Sequence, residues 1–71
     1  MSAKEMFEEL GFKIYKGYTF TTKYDLIAYT DGDTYIYFYT DKKIEFRNDI
    51  SVDYKIFQAI NKQVEELGWN K

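Results

Sequence analysis

The stretch whose reading decides the fold is Thr34-Tyr35-Ile36-Tyr37-Phe38-Tyr39-Thr40. Every residue in it is β-branched or aromatic, and tyrosine alternates with isoleucine or phenylalanine at a period of two. That pattern predicts a strand with two chemically distinct faces, Ile36 and Phe38 on one and Tyr35, Tyr37 and Tyr39 on the other. Upstream, Tyr24-Asp25-Leu26-Ile27-Ala28-Tyr29 leads into it through a Thr30-Asp31-Gly32-Asp33 turn. Downstream, Lys43-Ile44-Glu45-Phe46-Arg47 follows an Asp41-Lys42 turn. Short turns of this kind join antiparallel neighbours, so the three segments form a meander.

Burial sets the register, because slipping a strand by one residue sends each side chain to the other face. Three-residue loops at both turns place Leu26, Ala28, Ile36, Phe38, Ile44 and Phe46 together, whereas a two-residue second turn would set Phe38 opposite Glu45. The first arrangement is preferred. It leaves Asp25, Ile27, Tyr29, Tyr35, Tyr37, Tyr39, Glu45 and Arg47 on the opposite face. Between Phe12 and Thr22, Phe12, Ile14, Tyr18 and Phe20 alternate with other residues but Gly17 interrupts, which fits a bent strand, a bulged strand or a loop.

A helix flanks the sheet on each side. Ser2 and Glu5 have the spacing of a capping box, and Ala3, Met6, Phe7 and Leu10 then recur on one helical face. The second helix is read from Ile56, Phe57, Ile60, Val64 and Leu67, with Ser51 as its N-cap and Asp53 in its first turn. Two similar stretches, Phe7-Glu8-Glu9-Leu10-Gly11-Phe12 and Val64-Glu65-Glu66-Leu67-Gly68-Trp69, close the two helices. In each the glycine stands where a left-handed residue stops a helix and returns the next, aromatic residue to the core. The predicted architecture is therefore α+β: a two-layer α-β(3-4)-α domain spanning residues 1–71, with an antiparallel meander sheet and both helices on one face.

Composition agrees with a small domain that relies on large side chains. Aromatic residues make up 21% of the 71, supplying area that chain length alone cannot. Ten basic against twelve acidic residues, interspersed, give a net charge of -2, which lacks the basic footprint of a nucleic-acid binder. There is no apolar run of membrane-spanning length and the first ten residues lack the basic and apolar regions of a signal peptide, so the expected location is cytoplasmic.

Catalytic chemistry has little to work with. The chain contains neither cysteine nor histidine, which removes thiol and imidazole dyads and the commonest metal ligand. The four glycines are too dispersed for a phosphate-cradling loop. Asp31-Gly32-Asp33 lacks the further spaced carboxylates of a calcium loop and reads as a turn. Glu8-Glu9 and Glu65-Glu66 are consecutive helical pairs, hence solvated surface. No catalytic, metal or cofactor site is expected, and the chain reads as a non-enzyme.

What exceeds the needs of a small core is the aromatic face. Tyr35, Tyr37 and Tyr39, with Ile27, Tyr29 and Arg47 beside them, form the candidate interaction face, in a chain with no further element to cover it. The plain alternative is that these tyrosines are cross-strand packing on a half-exposed sheet. Exposed aromatic patches mark interfaces, and tyrosine and arginine are enriched at binding hot spots, so a protein partner or a second copy of the chain is expected there. A nucleic-acid-related role is the alternative, either through single strands stacking on the tyrosines or through acidic mimicry of DNA. Lys43 and Arg47 against Asp25, Asp41 and Glu45 leave little positive charge for the former, and -2 is thin support for the latter.

The ends of the chain, Ala3 to Phe12 (AKEMFEELGF) and Ala59 to Trp69 (AINKQVEELGW), resemble small uncharacterised proteins of phages and prophages of Gram-positive bacteria. The resemblance covers about a third of the chain and none of the sheet. It implies an accessory protein of phage or prophage origin and brings no catalytic or binding residues with it.

Overall fold

The computed structural model describes residues 1–15, 25–48 and 51–69. In chain order they form α1 (Ala3–Glu9), β1 (Lys13–Ile14), β2 (Asp25–Thr30), β3 (Tyr35–Tyr39), β4 (Ile44–Arg47) and α2 (Tyr54–Glu66). The four strands make one antiparallel sheet in the order β1-β2-β3-β4, and both helices lie on the same face of it. The expected α+β meander is thus present, with β1 as a fourth strand at the start of the Phe12 to Thr22 segment; residues 16–22 of that segment lie outside the described residues.

Helix α1 starts as its sequence dictates. The Ser2 hydroxyl accepts the Glu5 N–H at 3.1 Å, and the Glu5 carboxylate accepts the Ser2 N–H at 2.9 Å. That reciprocal pair, led by the Ser2 N–H, holds the Glu5 carboxyl below its ordinary range. At the other end Gly11 takes a left-handed φ of 90°. Its N–H reaches the carbonyl of Glu8 at 3.1 Å and that of Phe12 reaches Phe7 at 2.9 Å, the two bonds of a Schellman cap. Gly68 repeats the device on α2, with φ 75° and bonds from Gly68 to Glu65 and from Trp69 to Val64. Phe12 then sits edge-on to Phe7, and Trp69 lies 6.2 Å from Phe38.

Two features of α2 depart from the sequence reading. Its N-cap is Asp53 rather than Ser51: the carboxylate accepts the Ile56 N–H at 2.9 Å, so Asp53 precedes the helix instead of lying in its first turn. The buried stripe is also rotated. Ala59, Ile60 and Gln63 are buried, while Phe57 is 56% exposed, and α2 packs chiefly along α1.

The largest difference is in the register of β2. Thr30 pairs with Tyr35, Tyr29 with Ile36, Ala28 with Tyr37 and Ile27 with Phe38. The loop between β2 and β3 therefore holds four residues, Asp31 to Thr34, one more than expected. The Asp31 carboxylate explains the extra residue. Its Oδ1 accepts the N–H groups of Asp33 and Thr34 at 3.0 and 2.8 Å, while the Thr30 hydroxyl accepts the Gly32 N–H at 3.0 Å. Gly32 supplies the left-handed residue, φ 103°. This side-chain-closed turn reverses the faces of β2: Ile27 and Tyr29 join the helix side, and Ala28 moves to the tyrosine side. A bulge between Asp25 and Ile27 shifts the register again, and the side chains of Asp25 and Leu26 lie outside the described residues. The β3–β4 connection has the expected three-residue loop, with Lys42 left-handed at φ 66° and the Tyr39 N–H donating to the Lys43 carbonyl at 3.0 Å.

The core sits between the helices and the sheet face built from Tyr29, Ile36 and Phe38. Phe7 of α1 stacks on Tyr29 at 4.1 Å and meets Phe38 edge-on at 6.5 Å. Each such ring contributes about 1.5 to 3 kcal/mol by burial, and favourable ring pairs add about 0.5 to 1.5 kcal/mol. The Tyr29 hydroxyl is buried and donates to Gln63 Oε1 at 2.6 Å, which pairs that hydroxyl with the glutamine oxygen. The Ala3 N–H donates to Glu66 Oε2 at 2.8 Å, tying the first turn of α1 to the last turn of α2.

Candidate functional site

Strand β3 positions the aromatic row. Side chains two residues apart on a strand point the same way and are separated by about 6.5 Å, so the tyrosine rings inherit that repeat. Tyr35 and Tyr37 stand 6.3 Å apart with 17° between their planes, and Tyr37 and Tyr39 stand 6.4 Å apart with 18°. They form a row of nearly parallel slats. Opposite them on β4 come Arg47 and Glu45, paired with Tyr35 and Tyr37 respectively. The Arg47 guanidinium carbon lies 4.9 Å from the centre of the Tyr37 ring, within cation–π range. Glu45 Oε1 accepts the Tyr39 hydroxyl at 2.7 Å and stands 3.6 Å from Arg47 Nε.

Four of the six expected face residues, Tyr35, Tyr37, Tyr39 and Arg47, are brought together here. Ile27 and Tyr29 are not. The four-residue turn puts them on the helix side, where Tyr29 is 1% exposed and Ile27 packs against the core. The face is also less open than an uncovered sheet would be. Tyr37 at its centre is only 4% exposed, with small Ala28 as its cross-strand neighbour; Tyr35 and Tyr39 are half-buried, and Glu45 and Arg47 are exposed. Burial raises the pKa of the Tyr37 hydroxyl, and nearby Arg47 opposes that shift.

Tyr15 is the member that periodicity missed. Its N–H donates to the Ala28 carbonyl at 2.9 Å, which continues β1 alongside β2, and its ring centre lies 4.9 Å from that of Tyr35. Finding it required the β1–β2 register, which no residue spacing encodes. Beside this pair opens a groove of about 740 Å³ whose walls include Lys4, Glu8, Lys13, Tyr15, Thr30 and Tyr35. Lys4 and Glu8 are 3.8 Å apart across one helical turn, leaving Lys13 as the cation on the β1 wall.

Among the described residues there is no group of three or more acidic, histidine or cysteine side chains placed to hold a metal ion, and no helix long and apolar enough to cross a membrane. The arrangement offers flat aromatic surface, one guanidinium and one carboxylate. Comparison with models of known protein families, with curated proteins and with solved structures finds no match to this chain.

Proposed function

We propose that this chain is a non-enzymatic interaction protein of the cytoplasm that binds a protein partner through the face of Tyr35, Tyr37, Tyr39 and Arg47. The observation that carries this reading is the parallel tyrosine row crossed by the Arg47 guanidinium. Tyr37 is held by its neighbours, so the half-buried rims of Tyr35 and Tyr39 are presented by a rigid platform. Tyrosine offers large amphipathic contact area with only two side-chain torsions to immobilise, and it pairs with arginine in the residues that dominate binding energy. An origin in a phage or prophage of a Gram-positive bacterium, suggested by the resemblance of the chain ends, belongs to the same proposal.

The test compares the wild-type domain with Tyr35→Ser/Tyr39→Ser as immobilised bait, followed by titration of any protein that only the wild type retains. The partner is expected to bind the variant at least about tenfold more weakly, as for loss of one or two hot-spot tyrosines. If the purified partner binds both domains equally, the tyrosine face is not the site.

A second reading, stacking of single-stranded nucleic acid, is favoured by one observation: the groove that brings Lys4 and Lys13 beside Tyr15 and Tyr35. Glu8 within the groove and Glu45 along the row weaken its positive field. Fluorescence anisotropy of labelled single-stranded oligonucleotides at low salt separates the two readings, since unchanged anisotropy removes the second.

A further inference from the structure

Strand β4 closes the sheet on one side with nothing of the described chain paired to its outer edge. The Tyr39 N–H donates the first hydrogen bond of the β3–β4 ladder to the Lys43 carbonyl, so alternation along an antiparallel pair turns the N–H and C=O of Glu45 and Arg47 toward β3. Those of Ile44 and Phe46 therefore point outward. β4 has no proline and its register with β3 is unbroken, so what guards this edge is its four-residue length and the charges of Glu45 and Arg47. Phe46, on the helix side of the sheet, is 38% exposed although its cross-strand partner Ile36 is fully buried.

We infer that the β4 edge pairs with β4 of a second copy of this chain, antiparallel about a twofold axis at Phe46, to form a continuous eight-stranded sheet. Three features select this occupant and this register. The outward N–H and C=O of Phe46 meet those of the partner's Phe46 as a hydrogen-bonded pair, which is what the outward phase of β4 requires. On the helix side the two half-exposed phenylalanine rings face each other across the axis. On the tyrosine side Glu45 stands opposite the partner's Arg47, and Arg47 opposite the partner's Glu45. Moving the axis one residue to Glu45 would oppose glutamate to glutamate and Lys43 to the partner's Arg47, and like charges directly across a ladder are destabilising. The charges of β4 are thus complementary with the axis at Phe46 and repelling with it at Glu45.

This inference goes beyond the tyrosine-face reading and stands apart from it, since the contact is the strand edge and not the ring faces. Its consequence for that reading is geometric: the two tyrosine rows would lie on one side of one sheet, three strand spacings or about 14 Å apart.

Sedimentation equilibrium on the full chain from about 10 µM to 1 mM tests it, the range expected for a small interface. The mass should rise from 8.6 kDa toward twice that value. Glu45→Arg and Arg47→Glu should each weaken self-association at least about tenfold, because each replaces two attractive pairs by two repulsive ones. Mixed in equal amounts, the two variants should associate with each other, because one edge then carries only cations and the other only anions; circular dichroism confirms that each is folded. A wild-type chain that stays monomeric at 1 mM overturns the inference. So does a dimer whose mass responds to Tyr35→Ser/Tyr39→Ser but not to the charge variants, an outcome that would place self-association on the tyrosine face instead.

Discussion

Replacing Tyr29 by phenylalanine removes one oxygen atom and asks which side of the sheet that residue occupies. On the helix side, the hydroxyl is the partner of Gln63 Oε1 at 2.6 Å, and Gln63 is itself only 5% exposed. Tyr29→Phe keeps the ring stacked on Phe7 but leaves the glutamine oxygen without a donor in a place water does not reach. The cost of an unpaired buried acceptor is about 1 to 3 kcal/mol. For a domain of this size, 1 kcal/mol corresponds to roughly 4 to 8 °C in Tm, so the variant should melt at least about 4 °C below wild type. Gln63→Leu strands the tyrosine hydroxyl in the same way and should cost a similar amount. The double variant removes both polar groups and should be more stable than the sum of the single changes by about 1 kcal/mol or more, since two apolar groups of matching shape leave nothing unpaired. Urea unfolding followed by circular dichroism, with all four proteins sharing one m-value, gives the three differences. A Tyr29→Phe change within about 0.5 kcal/mol of wild type is what a surface tyrosine would give, and it would refute both the hydrogen bond and the register that creates it.

The same tyrosine makes stability depend on alkaline pH. Burial, followed by the Glu66 and Glu8 carboxylates, pushes its pKa up to about 12. The unfolded chain therefore releases this proton first, and stability present below pH 10 is lost as pH rises toward 12; Tyr29→Phe should flatten that part of a stability-against-pH curve. Gly68→Ala should cost about 1 to 2 kcal/mol in the same unfolding assay, because the left-handed backbone at φ 75° penalises any Cβ even though no atom stands within 4 Å of one there. Gly68→Asn should recover part of that loss. Asp31→Ala should cost about 1 kcal/mol by removing the acceptor of two turn N–H groups. Hydrogen bonds from Thr34 and Asp33 lower the Asp31 pKa, so its contribution is present above the ordinary carboxylate range and lost as pH falls through the lowered value; the alanine variant should lack that acid-side loss.

Local rules were legible wherever a local interaction settles the geometry. The capping box at Ser2 and Glu5 and the two glycine stops at Gly11 and Gly68 involve residues at most five apart, and all appear in the structure. The three-residue loop after β3 was legible too, because placing Phe38 opposite Glu45 would have been costly on either face. The β2 register was not, since Ile27 and Tyr29 make as good a core pair as Leu26 and Ala28, and hydrophobicity alone does not separate them. What separates them is the Asp31 carboxylate, which holds one extra residue in the turn. For the same reason the tyrosine face was half legible: the row on β3 follows from alternation within one strand, whereas its neighbours depend on registers with β1 and β2. The rotation of α2 that exposes Phe57 reflects tertiary packing around Ala59, which a helical period with two candidate stripes leaves open.

The turn at residues 31 to 34 has a consequence for how this fold tolerates changes in length. Inserting or deleting one residue there would exchange the two sides of β2, sending Tyr29 toward water and Ala28 toward α1, while every substitution outside the turn stayed conservative. A change of two residues would restore the sides and alter only the length of the loop. Tolerance to insertion should therefore alternate with the number of residues added, failing at odd counts and recovering at even ones, and folded yield across a short insertion series would display that parity. In evolutionary terms the parity of the turn is constrained more tightly than its length, a constraint that residue-by-residue substitution data would not reveal.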